Sequence, residues 1–402
     1  MRCPRPASLV ERCWVLLPIL LGLPGCGDID EAAGERTSDE AGTRDLADLT
    51  AIGYGAFDAQ AEGEGGARIF DDQEVAAGWN LFADEESALL LVDRHGVERR
   101  RIEVPGRTKV EHGEPVAAGY LTISVDEGWD LIDEEGEHTW ALVGNAHHDV
   151  AERPAGGYYA LAWEEREYLG RRVRFDHLMV LATDGTEVRE LWSSFDARQD
   201  LREHHPALAL DTPVPESSAV AASTVVYDYH HINTVQVLGD AAERMGDARF
   251  RAGYLLLCAR NASLVFVLNP ESGAITWSFG PRQLDYPHTP SLTPSGKLLI
   301  FDNGWHRGWS RAIEVDPRSS EILWSFEASP RESFFTQTRG SAQRLANGNT
   351  LLCEGEAGRA LEVTTDGRVV WSFQNRLLSG RNSNSSPRRR RIYRFTRVPA
   401  LD

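Results

Sequence analysis

The chain has 402 residues, a formal net charge of −19 at pH 7, 42% hydrophobic residues and five cysteines. So acidic a protein is a poor partner for nucleic acid, and so few cysteines exclude a disulfide framework and a thiolate metal site. After the first 25 residues no apolar run approaches the roughly 20 residues a membrane helix needs, so the body is expected in solution.

Arg2, Arg5 and Arg12 precede an apolar run from Trp14 to Leu23 that ends at Leu23-Pro24-Gly25-Cys26. A basic start, a run too short to span and a small-residue site before cysteine predict a signal peptide over residues 1–25. The site resembles the lipobox of bacterial lipoproteins, so Cys26 is expected to carry lipid and to hold the protein at the cell envelope, on a periplasmic or extracellular face. Cleavage removes three arginines and Glu11, which leaves a formal charge of −21. It also removes Cys3 and Cys13, so only Cys258 and Cys353 remain unmodified. Residues 26–64 are acidic, small and poor in large apolar side chains, the composition of a flexible tether.

From about residue 65 to 378 the chain alternates short β-branched and aromatic runs with Asp-Gly, Asn-Gly and Ser-Gly turns. This is an all-β pattern. Its clearest unit is a hairpin ending in tryptophan: Val265 to Leu268, a turn at Glu271-Ser272-Gly273, then Ala274 to Trp277-Ser278-Phe279. It recurs at Trp324-Ser325-Phe326 and Trp371-Ser372-Phe373, so the tryptophans are spaced 47 and 47. Looser copies reach Trp192, Trp140 and the Leu89–Val92 run before His95-Gly96. About six units of 40–50 residues predict a six-bladed β-propeller, in which each tryptophan fills space between neighbouring sheets. The segment 379–402, with Arg388-Arg389-Arg390-Arg391, reads as a solvated basic surface rather than as a binding patch.

Aligned on the turn glycine of each preceding strand, His148, His231 and His288 all lie eight residues before a glycine, at Gly156, Gly239 and Gly296. The last blade has Gly340 at that position, before Gly348. Equivalent positions in a rotary array share one height and radius, so the three imidazoles are expected to meet at the axis. A histidine is more often structural than functional, but these blades otherwise share few polar residues, which favours a site. Three imidazoles suit a metal or acid, base and nucleophilic work. The strand Leu255 to Asn261 carries Arg260, whose fixed cation would repel a metal and clamp an oxyanion, so no metal is expected.

His147-His148-Asp149, Asp228-Tyr229-His230-His231-Ile232-Asn233-Thr234, Cys258-Ala259-Arg260-Asn261, Pro287-His288-Thr289-Pro290 and Phe301-Asp302-Asn303-Gly304 occur in this order. Together they resemble the motifs of the bacterial arylsulfate sulfotransferases, over roughly residues 145–375. That resemblance implies a six-bladed propeller that moves a sulfuryl group from a phenolic sulfate to a phenol without nucleotide or other cofactor. It implies His288 as the nucleophile, with His148, His231 and Arg260 around it, and Asn233 and Asn303 as substrate-binding residues. Pro287 stands where the family has glutamine. His147 and His230, the partners of the doubled histidines, remain candidates, although the glycine register prefers His148 and His231.

The alternative is a propeller at the envelope that binds a ligand or protein partner without catalysis, which expects the His/Arg constellation to be broken. A quinoprotein-like dehydrogenase also uses tryptophan-marked blades, but no cofactor-specific cluster supports it.

Overall fold

The computed structural model describes residues 65–204, 214–215, 226–280, 282–378 and 389–400. The signal peptide, Cys26 and the tether lie outside these residues. Among the described residues no helix is long and apolar enough to cross a membrane.

The strands pair into six antiparallel sheets taken in chain order, so the chain is a six-bladed β-propeller. Blade 4 shows the unit: Ile232–Val237, Leu255–Ala259, Leu264–Leu268 and Ile275–Phe279 lie side by side. Its second and third strands are buried at every residue, because sheets cover both faces, and they therefore read as unbroken apolar runs. The outermost strands are partly exposed; in blade 5, Glu321–Phe326 carries exposed Glu321, Ile322 and Leu323. Hairpin glycines such as Gly273 and Gly367 have φ of 72° and 85°, which a side chain would strain. Blade 3 departs from the unit, since Val226–Asp228 adds to Arg171–Leu181 in parallel and brings Asp228 to the foot of blade 4.

The core is six clusters, one between each pair of adjacent blades. The repeated tryptophan supplies four of the six boundaries with apolar area and one directed bond. Trp140 Nε1 donates to Thr183 O, Trp277 Nε1 to Pro317 O, Trp324 Nε1 to Thr365 O and Trp371 Nε1 to Arg94 O, each a carbonyl in the next blade. Burying one such ring stabilises by about 1.5–3 kcal/mol, and the bond supplies a buried N–H with its partner. Blade 1 has no tryptophan there; Arg100 donates to Glu134 O instead, which is why its repeat is hard to see. Trp192 packs in the same way with no hydrogen-bond partner for Nε1.

Both ends of the described chain stitch the ring closed. Gly66–Ile69 adds to the outer strand Val369–Gln374 of blade 6. Thr396–Val398 becomes the innermost strand of blade 1, paired with Trp79–Ala83. The propeller therefore extends to Val398, and the expected boundary at 378 and the solvated basic tail need correction. Ile392, Tyr393 and Phe395 are buried, and Arg397 donates to Asn80 Oδ1 at 2.7 Å and to Glu362 Oε2 at 3.1 Å. The arginines conceal an apolar strand because their partners are carboxylates and carbonyls of other blades. Arg390 and Arg391 pair with Glu86 and Glu85.

Around the axis the inner strands are joined blade to blade. Val235 N donates to Asp149 Oδ2 at 2.9 Å, Thr289 N to Thr234 Oγ1 at 3.1 Å, and Ala342 N to Thr289 Oγ1 at 3.2 Å. These strands line a cavity of about 380 Å³ that includes Asp149, Thr234, Thr289, Ser341 and Arg394.

Candidate active site

The site forms where the inner strands of blades 2 to 6 begin. His148 and His231 hold left-handed backbones, φ 57° and 53°, which side chains avoid unless surroundings impose them. At the matching position of blade 6, Gly340 has φ 97°, and a Cβ there would lie 2.7 Å from the Phe301 ring and 2.9 Å from Cys353 O. No fourth histidine fits.

The structure brings His148 and His231 into direct contact, Nε2 to Nε2 at 2.6 Å. The other nitrogen of each ring meets a carboxylate: His148 Nδ1 lies 3.0 Å from Glu111 Oε2, and His231 Nδ1 bonds Asp228 Oδ2. Burial pushes the Glu111 carboxyl up, but the charge and hydrogen bond of His148, with Arg339 and Lys109, outweigh it and hold the group at about 2. Asp228 is likewise held below the carboxylate range by His231 and Arg260 against its burial. Burial and the charge of Arg260 bring His231 down to about 4.

His288 opens the inner strand of blade 5 and is 2% exposed. Its Nδ1 lies 2.7 Å from Asn303 Oδ1. The orientation of that amide is fixed, because Asn303 Nδ2 donates to Thr336 O at 2.9 Å and to Arg339 O at 2.7 Å. An amide oxygen only accepts, so His288 Nδ1 carries the proton and Nε2 carries a lone pair. Burial, with the charges of Arg260, His231 and His148, holds His288 well below the usual histidine range, so it is neutral at pH 7. Pro287, where a glutamine was expected from the family pattern, does not loosen this strand. Its carbonyl accepts from Asn233 Nδ2 at 2.9 Å and from the Cys258 thiol at 3.2 Å. Burial pushes Cys258 well above the usual thiol range, so it keeps the proton it donates.

Arg260 donates through Nε to Asn261 Oδ1 at 3.1 Å, and its Nη atoms have no hydrogen-bond partner among the described residues. The guanidinium lies 5.7 Å from the Tyr286 ring centroid. Tyr286, with φ 58°, stacks on Trp305 at 5.4 Å and 26°. Trp305 is 39% exposed. The loop that carries it is pinned to Asp285, which accepts from His306 N at 2.8 Å and from Gly304 N, through its carbonyl, at 2.8 Å. A free guanidinium, a neutral imidazole lone pair and a stacked aromatic wall thus share one end of the propeller.

Of the residues expected from sequence, His148 and His231 touch, and their charges and that of Arg260 act on His288. The Asn233 amide donates to Pro287 O and accepts from Thr234 Oγ1, and that of Asn303 accepts from His288 and donates to two carbonyls. Both amides hold the strand that begins at His288. His147 donates through Nε2 to Ala162 O at 3.0 Å, and His230 is buried against the Tyr229 ring with neither nitrogen bonded, brought by burial to about 3. The register's preference for His148 and His231 agrees with these positions.

Glu111, Asp228 and Tyr393 were not singled out. Glu111 lies eight residues before Gly119, the same register as the histidines, so extending the alignment to blade 2 would have found it. Tyr393 stacks on His148 at 5.4 Å and 9° and arrives from the C-terminal segment. Among the described residues, His112, Glu114 and Asp149 are grouped closely enough to ligate a metal. Arg394 already supplies the cation there, 3.0 Å from Asp149 Oδ1, 3.3 Å from His112 Nε2 and 3.7 Å from Glu114 Oε2.

The family model described as arylsulfotransferase (ASST) matches residues 181–376. That span contains His231, Arg260, His288 and Asn303 but not Glu111, His148 or Tyr393. No curated protein matches the chain significantly. Among solved structures, similarity is found to a protein of unknown function from Bacteroides caccae, with 13% identity and a TM-score of 0.47 over 80% of this chain and 98% of that one. A catalytically inactive virginiamycin B lyase from Staphylococcus aureus with quinupristin has 12% identity and a TM-score of 0.43, covering 77% and 87%. A nidogen/laminin complex has 10% and 0.48, covering 79% and 97%. Likeness this distant carries no functional information.

Proposed function

The chain belongs to the arylsulfotransferase family, and from that premise we propose that it transfers a sulfuryl group from a phenolic sulfate ester to a phenol through a sulfated His288. The observation that carries the reading is the His288–Asn303 pair: one fixed tautomer leaves Nε2 as a lone pair on a ring that feels the charge of Arg260, a guanidinium whose Nη donors have no partner among the described residues. The lone pair attacks sulfur, and the S–O(aryl) bond breaks. Arg260 holds sulfuryl oxygens as charge develops on them, and the His148–His231 pair meets the departing phenolate. An acceptor phenol then takes the group from His288 by the reverse path. The Tyr286–Trp305 stack supports an aryl ring as the carried group, since a planar ring gains by stacking on it.

The test is incubation of the protein with an aryl sulfate and a phenol acceptor, comparing wild type with His288→Ala. Sulfated acceptor is expected from wild type alone, and transfer that survives the substitution refutes the mechanism. The envelope location is part of the same proposal: the lipobox-like Leu23-Pro24-Gly25-Cys26 supports a lipid anchor at Cys26.

A further inference from the structure

A long hairpin of blade 3 rises from the end of the propeller that carries the histidines. Tyr158–Tyr168 and Arg171–Leu181 pair over eleven residues each, where the corresponding strands of blade 4 have five. The inner strand Ala146–Glu152 pairs with the hairpin no further than Ala162, and His147 Nε2 donates to Ala162 O, so Ala162 marks the level of the site. From there to Leu169, at about 3.3 Å per residue, the strand carries its turn roughly 20 Å further out. At the turn Leu169 and Gly170 have φ of 53° and 72°. A two-residue hairpin turn with both φ positive ordinarily takes Asn, Asp or Gly first. Leucine is disfavoured there by its backbone and, at 65% exposure, by water as well. Such a residue marks a turn shaped for something other than solvent. The most exposed large apolar side chain among the described residues, Val143 at 90%, lies at the same end: it pairs with Gly128, Gly128 with Ser124, and Ser124 with Val110, the neighbour of Glu111.

The chain also enters the propeller at this end. Gly66 pairs with Gln374, and the neighbouring register runs Ala67, Phe373, Ala360, Cys353 and Ser341, beside Gly340 at the level of the histidines. Between Cys26 and Gly65 stand 38 residues (27–64), and a coil of that length spans about 35 Å. We propose that this end of the propeller docks on the bilayer that holds the Cys26 lipid, with Leu169 set among the headgroups and the site opening toward the membrane. The inference rests on the anchor proposed at Cys26 for attachment and is independent of the sulfuryl-transfer chemistry. Local charge agrees with a lipid surface: residues 164–174 carry four arginines and three glutamates, a net +1 on a chain of −19. Arginines beside an apolar tip suit phosphate headgroups. A protein partner fits less well, since a stable interface buries about 800 Å² on each side and the tip offers a single leucine between charged strands.

The experiment places a fluorophore at either end of the propeller in the full chain, purified from bacterial membranes and reconstituted in vesicles of phosphatidylcholine and phosphatidylglycerol. Cys258 and Cys353 are fully buried, so an introduced exposed cysteine takes the label. Glu167→Cys puts it two residues from the tip with Leu169 intact. Thr365→Cys puts it in the exposed turn after Arg359–Val363, at the opposite end. Nitroxide-labelled lipid is expected to quench the label at 167 at least about twofold more than the label at 365, and Leu169→Glu in the first chain is expected to abolish the difference. Equal quenching at both positions, or at neither, overturns the orientation while the anchor stands. Quenching at 167 that survives Leu169→Glu overturns the role of Leu169. A chain that does not float with the vesicles overturns the proposal together with the anchor. A shift of the label at 167 that grows with protein concentration in the absence of vesicles assigns the tip to self-association and overturns the lipid reading.

Discussion

Replacing Asn303 with alanine separates control of the His288 tautomer from His288 itself. The side chain makes three hydrogen bonds: it donates at 2.9 Å to Thr336 O and at 2.7 Å to Arg339 O, and it accepts at 2.7 Å from His288 Nδ1. At about 0.5–1.5 kcal/mol net for each, the loss sums to about 2–4 kcal/mol. A domain stable by about 5–15 kcal/mol remains folded after such a loss. The chemical cost is larger. Without Asn303 the imidazole no longer has a fixed Nδ1–H, and its Nε2 lone pair is neither guaranteed nor aimed. Loss of a comparable orienting partner costs roughly 10²–10⁴ in rate. The assay is urea unfolding of the variant beside single-turnover phenol release from an aryl sulfate at a urea-free temperature where both proteins are folded. Release within about threefold of wild type refutes the assignment of Asn303 as the tautomer-setting residue.

Trp305→Ala should raise KM for aryl donors by about 3- to 10-fold with little change in kcat, because the lost stacking of about 0.5–1.5 kcal/mol is made in both ground and transition states; steady-state kinetics with phenyl and naphthyl sulfates checks it. Trp371→Phe removes the donor to Arg94 O at the junction of blades 6 and 1 and should destabilise by about 1–3 kcal/mol with the site's chemistry intact, read by thermal unfolding and transfer assay. Glu111 has an ordinary value of 4.5 and is held at about 2 when folded. Its contribution is therefore fully present above 4.5 and is lost as pH falls toward 2. Wild type should lose up to about 3 kcal/mol more than Glu111→Gln across that window in urea unfolding. Cys26→Ser should abolish incorporation of labelled fatty acid into the full chain expressed in a bacterial host, which wild type is expected to show.

The tryptophan hairpins were legible as blades because each indole answers a recurrent physical need, a large ring and one donor at the blade boundary. Where Arg100 meets that need, the repeat fades from view although the geometry persists. The histidines were legible because the turn glycine sets a common register for strands that start at one height. The same rule reaches Glu111, whose different chemistry hid the equivalence. Gly340 keeps the register but has no room for a side chain. Tyr393 and the closing strand Thr396–Val398 were not legible: the return of the chain to blade 1 is a long-range event, and four consecutive arginines masked the apolar residues beside them. The bonds that Asn233 and Asn303 make were not legible either: a motif gives adjacency to the site but not the direction of an amide, and both amides are turned to the strand that carries His288.

The claim on which the account depends is that the sulfuryl group passes through His288. Its most direct test is to react the protein with an aryl sulfate in the absence of acceptor, digest at neutral-to-alkaline pH and locate the label by mass spectrometry. The account predicts one sulfuryl increment on the peptide bearing His288, discharged on adding a phenol and absent in His288→Ala. A label on another residue, or acceptor sulfation by the His288→Ala protein, would contradict it.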